Sequence, residues 1–240
     1  MLILSLDTSS PAGSFALLRD ANVLSERVST DNEHYSASVL GETKELLDGT
    51  HISLEQIGLF AVDAGPGSFT GLRVGLTTIK GWAEVWGKPV AAVSGLEALA
   101  AQASASLDPG SLVAAVMDAR RGQIFGSLFL AGNGWGLLER IGDEVVATAD
   151  EFFEFVQVNL AGRGLVIAGA SPELIGLAIG PAMERHGLHG CAVEVVSSAL
   201  APVIGKLGYA KALRGEAVDA LHLDANYIRR SDAEMNWRTG

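Results

Sequence analysis

AGPGSFTGLRVGL, residues 64–76, puts four glycines and a proline into thirteen positions. It follows an apolar run, Ile57 to Val62, and leads into an amphipathic stretch that continues to Trp86. Strand, glycine-rich turn and helix N-terminus is the arrangement that offers backbone N–H groups and a positive dipole end to an anion. One reading is therefore a phosphate cradle at Gly65, Gly67 and Ser68. Glycine also serves tight turns and close helix packing, which is the other reading.

Outward from this loop, the spacing predicts a helix from about Thr70 to Trp86, stopped by Gly87 and Pro89. Gly71, Gly75, Thr78 and Trp82 form one stripe of that helix, while Leu72, Leu76, Ile79 and Trp86 form another. Two such faces suit a helix that packs on its own sheet and on a second helix, although both could be internal. Upstream, Leu2 to Leu6 reads as a strand ending at Asp7, with return strands from Ser14 to Leu18 and around Val23 to Val28. Tyr35 to Leu47 carries Val39, Leu40, Leu46 and Leu47 at helical spacing, and Gly49 can end it. Downstream, Val90 to Val93 is a strand and Ser94 to Leu107 an alanine-rich helix. Asp108-Pro109-Gly110 is a lobe boundary. Beyond it Leu112 to Met117 and Gln123 to Leu130 pair through a turn, and a third strand follows Gly132-Asn133-Gly134. A helix at Asp150–Val158, a strand at Leu165–Ala168, a helix at Pro172–Arg185 with some glycine damage and a helix at Ala199–Arg214 follow, and the tail is irregular. Each half opens on a strand meander and continues in helix–strand alternation. This predicts an α/β, two-lobed actin-like fold with mixed sheets flanked by helices, its lobes at residues 1–107 and 108–240. The helix near 199–214 could pack back on the first lobe.

The 240 residues carry a net charge of −11, so phosphate backbones should repel the chain unless its basic residues cluster. Arg229, Arg230 and Arg238 do gather near the C-terminus, but as solvated groups they offer no autonomous nucleic-acid binding. One cysteine, Cys191, excludes an internal disulfide framework, and neither a signal peptide nor a membrane span is evident; a cytoplasmic protein is expected. No Walker loop, H-E-x-x-H motif or G-x-S-x-G elbow occurs. Glu184, His186, His189 and Cys191 could in principle ligate zinc, but a second ligand pair is missing and no metal is expected. Asp7 could serve a magnesium–phosphate group, with Ser9 beside it, or simply cap the turn Thr8-Ser9-Ser10. Asp118 and Arg120 could form a charged site or a local turn ion pair.

Five segments together resemble one family. They are LSLDTSS at 4–10, AVDAGPGSFTGLRVGLTTIKGWA at 61–83, VSGLEALA at 93–100, MDARRGQIF at 117–125 and DANYIRRSDAE at 224–234. The resemblance is to the TsaB family, actin-like subunits of the bacterial machinery that makes threonylcarbamoyladenosine in tRNA. These are similar to the catalytic subunit TsaD, formerly grouped as glycoprotease-like. Where TsaD has a metal-binding H-x-x-x-H, this chain has Gly95 and Leu99, neither able to hold a metal. Pro11 and Ala12 replace acidic residues of the TsaD first turn. The turns at Asp118-Ala119-Arg120 and Ala168-Gly169-Ala170-Ser171 are reduced nucleotide loops by the same comparison. The resemblance implies a non-catalytic scaffold without cofactor or catalytic residues, which binds and activates TsaD as a heterodimer and is joined by TsaE in a larger complex. Alone, such subunits form homodimers on the same surface. The implied interface lies on the two first-lobe helices, at Tyr35, Val39, Gly71, Leu72, Gly75, Thr78 and Trp82. Asp7, Ser9, Gly65, Gly67 and Ser68 would then be a vestigial phosphate site. The alternative is a stand-alone actin-like nucleotide-binding enzyme that uses the loop and Asp7.

Overall fold

A computed structural model describes residues 1–10, 13–29 and 35–228. Pro11, Ala12, Arg229, Arg230 and Arg238 therefore lie outside the described residues. The described residues fall into two compact units: those within 1–98 together with 199–226, and those within 99–198.

The first unit is built on a five-stranded sheet in the order β3-β2-β1-β4-β5. Its strands are β1 (Leu2–Asp7), β2 (Ser14–Arg19), β3 (Asn22–Val28), β4 (Leu59–Asp63) and β5 (Val90–Val93). The first three form an antiparallel meander, and β4 and β5 add in parallel beside β1. Alternation along the strands assigns residues to two faces. Leu4, Leu6, Phe15, Leu17, Phe60 and Val62 form a core with helices α1 (Tyr35–Thr50) and α2 (Phe69–Trp86). The expected stop at Gly49 is passed by a residue, and α1 ends at Thr50, whose hydroxyl donates back to the Leu46 and Leu47 carbonyls at 3.0 and 3.1 Å.

The opposite face carries Ser5, Ala61 and Ala91, small enough for a helix to lie close. That helix is the distant segment Ala201–Leu213. Its Gly208 sits where a Cβ would meet the Ala61 and Ala91 methyl groups at 2.7 and 3.2 Å. The Ser5 hydroxyl donates to the Ala201 carbonyl at 2.7 Å, and the Ala201 N–H donates to the Ser14 hydroxyl at 3.0 Å. Past this helix, Val218 and Val90 exchange backbone hydrogen bonds, and Leu223 enters the core. Between β5 and the second unit's first strand lies α3 (Gly95–Ala103), which passes into a short 3-10 turn at Ser104–Ser106.

The second unit repeats the plan, with sheet order β10-β9-β6-β7-β8. Here β6 (Leu112–Arg120), β7 (Gln123–Ala131) and β8 (Leu138–Ala147) form the meander, and β9 (Leu165–Gly169) and β10 (Ala192–Val195) are the parallel additions. Its core gathers Leu112, Ala114, Val116, Ile124 and Leu128 with Phe152, Phe153 and Val156 of α4 (Ala149–Leu160). Helix α4 starts on a capping box in which the Thr148 and Glu151 side chains each bond the other's backbone N–H. The expected helix at 172–185 is broken. It runs as α5 (Pro172–Leu174), a π turn at Ile175–Ile179 and α6 (Gly180–Arg185), since Gly176, Gly180 and Pro181 weaken the regular ladder. Strand β10 was not anticipated: its four residues carry Glu194 at their middle and lie at the sheet edge.

Candidate functional site

Strands β1 and β4 run parallel, with Leu6 opposite Val62, so Asp7 and Asp63 end adjacent strands side by side. Both are buried, at 0% and 2% exposure. The oxygens of Asp7 are taken up locally. Oδ1 accepts the Ser9 N–H at 2.8 Å, and Oδ2 accepts the Ser10 hydroxyl at 2.8 Å. Asp63 Oδ1 accepts the Gly65 N–H at 2.8 Å and Oδ2 accepts the Ser9 hydroxyl at 2.5 Å. Gly95 opens α3 directly over this carboxyl, where a Cβ would come within 2.9 Å of Oδ2. Burial pushes both carboxyls upward in pKa and takes Asp63 well above the usual carboxylate range, with the neighbouring Asp7 charge adding to the rise.

The glycine-rich loop closes on its own lobe. The Ser68 N–H donates to the Ser9 carbonyl at 2.9 Å, and a Cβ on Gly67 would meet Ser9 at 2.6–2.9 Å. Gly65 adopts φ +109° with the Asn226 carbonyl 2.9 Å from its Cβ position, while the Asn226 N–H donates to the Ala64 carbonyl at 2.7 Å. Ser68 caps α2 by accepting the Gly71 N–H at 3.3 Å. The glycines thus admit Ser9, Thr8 and Asn226, and the N–H groups of Gly65, Ser68, Gly71 and Leu72 already have protein acceptors. Of the residues expected around a phosphate, Asp7, Ser9, Gly65, Gly67 and Ser68 do converge, held together by one another. Asp63 was missed. Its signal was an aspartate ending the apolar run before the loop, just as Asp7 ends the first strand.

The residues expected on a partner face divide. Gly71, Leu72 and Gly75 point into the lobe. The Thr8 hydroxyl donates to the Gly71 carbonyl at 2.7 Å, and a Cβ at Gly71 would fall on the Thr8 carbonyl oxygen. A Cβ at Gly75 would press on the Thr8 hydroxyl, so a bulky residue there would disturb the lobe before any partner. Val39 is likewise core. Tyr35 is the first residue of α1. Thr78 and Trp82 are half-buried, with the Trp82 ring 6.1 Å from that of Phe60. The outward side of these helices instead presents Leu40 and Val85, 59% and 73% exposed. A groove of about 670 Å³ lies between α1, the 3-10 turn Leu54–Gln56 and Trp82.

Elsewhere the sequence candidates have local roles. Asp118 accepts the Arg120 N–H at 2.7 Å and pairs with its guanidinium at 3.2 Å on the exposed β6–β7 turn. His186 faces Asp150, which Arg185 grips through two bonds at 2.9 and 2.8 Å. No group of three His, Cys, Asp or Glu side chains able to hold a metal occurs among the described residues. Nor does any described helix have the length and apolarity to cross a membrane.

Two meander-plus-parallel sheets with helices on their faces, and an aspartate ending the first strand, define an actin-like α/β protein. The ROK hexokinase of Thermus thermophilus shares this fold at a TM-score of 0.51 and 14% identity, over 88% of this chain and all of that one. YeaZ from Pseudomonas aeruginosa matches more closely, with a TM-score of 0.76 and 27% identity over 94% of this chain and 99% of that one. The family model described as TsaD, tRNA N6-adenosine threonylcarbamoyltransferase, matches residues 22–168. The tRNA threonylcarbamoyladenosine biosynthesis protein TsaB of Bacillus subtilis is 31% identical over 99% of this chain and 98% of its own. The chain belongs to the TsaB family.

Proposed function

We propose that this chain acts in the biosynthesis of tRNA threonylcarbamoyladenosine as a non-catalytic subunit that binds and activates TsaD, the subunit modifying the adenosine next to the anticodon. The observation that carries this reading is the closure of the glycine-rich loop: Ser9, Thr8 and Asn226 pack against its glycines, and the N–H groups of Gly65, Ser68, Gly71 and Leu72 donate to Asp63, Ser9 and Ser68. An enzyme handling a phosphate would need those groups directed at its ligand. Gly95, in the stretch that resembles TsaD's metal-binding segment, seats Asp63 instead. The full-length likeness to B. subtilis TsaB supports the same reading. TsaE would join the larger complex, and a homodimer would compete for the same helices in the absence of TsaD.

The outward side of α1 and α2 is the surface assigned to this contact, with Leu40, Trp82 and Val85 as its apolar groups. Light scattering on size-exclusion chromatography, with the chain alone and mixed with TsaD of the same organism, tests it. A stable mixed complex is expected, and Val85→Asp should abolish it while urea unfolding changes by no more than about 0.5 kcal/mol, as at other exposed sites. Normal pairing by the Val85→Asp chain would move the interface elsewhere. Tight one-to-one binding of magnesium ATP to the chain alone, read by calorimetry, would instead favour the nucleotide-binding enzyme.

A further inference from the structure

The β6–β7 hairpin runs on past its neighbours. β6 pairs with β9 from Leu112 to Ala115 and continues to Arg120, and the pairing of β7 with β8 begins only at Ile124. Its tip, Arg120-Arg121-Gly122, is exposed, and a Cβ on Gly122 would meet nothing within 4 Å. All three residues have left-handed backbones, at φ +64°, +57° and +73°. Glycine takes this conformation freely, whereas residues with side chains seldom do. Two successive arginines are therefore an unfavourable choice for the turn, and glycine or asparagine would serve it better. Strain of this kind collects at functional positions, where something other than stability retains it.

What the arginines supply is charge. Among the described residues this is the one place where two cations are sequence neighbours, in a chain of net charge −11. Three other arginines of the second unit are engaged within it: Arg140 pairs with Glu144, Arg163 donates to the Asn159 carbonyl and Arg185 pairs with Asp150. Asp118 accepts the Arg120 N–H at 2.7 Å and stands 3.2 Å from its guanidinium, so turn and side chain share one anchor. That guanidinium is still 77% exposed, and its five N–H donors are more than this carboxylate engages. A planar fork of donors matches the oxygens of a phosphate. The polyanion on which the family's biosynthesis acts is tRNA. We propose that the tip contacts the phosphate backbone of tRNA in the complex with TsaD. This rests on the pairing proposed above and adds a second role to it. The rest of the chain repels a polyanion, so the tip strengthens RNA binding by the complex and captures no RNA alone.

The double variant Arg120→Gly, Arg121→Gly tests this, because glycine removes both charges while suiting the left-handed backbone of the turn. Filter binding of tRNA to TsaD mixed with wild type or variant, from 50 to 200 mM salt, gives the reading. The variant complex should bind more weakly. Its plot of log affinity against log salt should be shallower by about 1.4–1.8, the release expected for two phosphates. The gap between the two complexes should accordingly narrow about tenfold across that range. Arg120→Lys with Arg121→Lys keeps both charges and should keep the wild-type slope. Equal affinity and slope for the glycine variant would overturn the tip contact. So would loss of pairing between that variant and TsaD in the absence of tRNA, which would make the tip a protein contact. If the wild type itself formed no complex with TsaD, the pairing and the tip contact would fall together; a normal complex with unchanged tRNA binding removes the tip contact alone.

Discussion

One step beyond the last parallel pair of β1 and β4 stand Asp7 and Asp63. One step beyond the last parallel pair of β6 and β9 stand Val116 and Gly169, at the same place in the same sheet plan. The second pair is apolar and tight, with the Val116 methyl 3.2 Å from the Cβ position of Gly169. The first buries two acids and arranges serine hydroxyls, backbone N–H groups and a glycine around them. The topology therefore does not require the acids, since an apolar pair completes the sheet equally well. What the acids add is a set of bonds to the turn after β1 and to the loop after β4, which the side chains at Val116 and Gly169 cannot make. The elements that follow differ to match. α2 is an unbroken helix of 18 residues on a serine cap, whereas the segment after β9 is a three-residue helix, a π turn and a second short helix.

The largest expected break in this comparison comes from glycines at close contacts. Gly71→Ala would set a methyl on the Thr8 carbonyl oxygen, backbone against backbone, and α2 would have to lift. Overpacking costs about 1–3 kcal/mol and occasionally more; here a loss of about 3 kcal/mol is expected, even after the roughly 1 kcal/mol alanine adds inside a helix. Gly126→Ala in the second sheet meets the Phe152 ring at 2.7 Å, which a side chain can relieve by turning, and about 1–2 kcal/mol is expected. Urea unfolding of both variants measures the difference. A larger loss at Gly126 would make the second core the more rigid one.

Next in size is the attempt to carry the acid into the second sheet. Val116→Asp buries a lone carboxyl with none of the serines that serve Asp7, and a loss of about 3 kcal/mol or somewhat less is expected at pH 7. Its folded-state pKa would rise through burial, so the loss should shrink between pH 7 and pH 5 as the group takes up its proton. Urea midpoints at the two pH values check this. An equal loss at both would mean that steric misfit, not charge, governs the site.

How far such contrasts can be read from sequence depends on how far apart the contacting residues lie. The strand–loop–helix unit at 57–86 was legible because its signals are local: an apolar run, a glycine turn, a serine cap and a periodic helix. The repeated meander was legible for the same reason, and the actin-like class followed. The direction of the Gly71 and Gly75 stripe was not legible. Periodicity gives a helix its faces, but the contact that buries this one is Thr8, 63 residues earlier. Asp63 escaped because its partner Asp7 joins it only through strand pairing. The seat for Gly65 is supplied by Asn226, at the other end of the chain.

The smallest effect tests the surface counterpart of the buried acids. Asp118 lies near the end of β6, as Asp7 ends β1, but it is exposed and its partner is Arg120 on the β6–β7 turn. Arg120 has φ +64°, a backbone conformation that costs a side-chain-bearing residue about 1–2 kcal/mol and glycine almost nothing. Its ion pair with Asp118, with the arginine 77% exposed, is worth about 0–1 kcal/mol. Glycine also loses about 0.5–1 kcal/mol more chain entropy on folding. For Arg120→Gly these contributions nearly cancel, so a change within about 0.5 kcal/mol is expected in urea unfolding, in 0.5 M salt as in dilute buffer. A loss above 1 kcal/mol that salt reproduces in the wild type would give the Asp118–Arg120 pair a weight its exposure does not suggest. The two sheets would then differ in where their end-of-strand acids act, not in whether they matter.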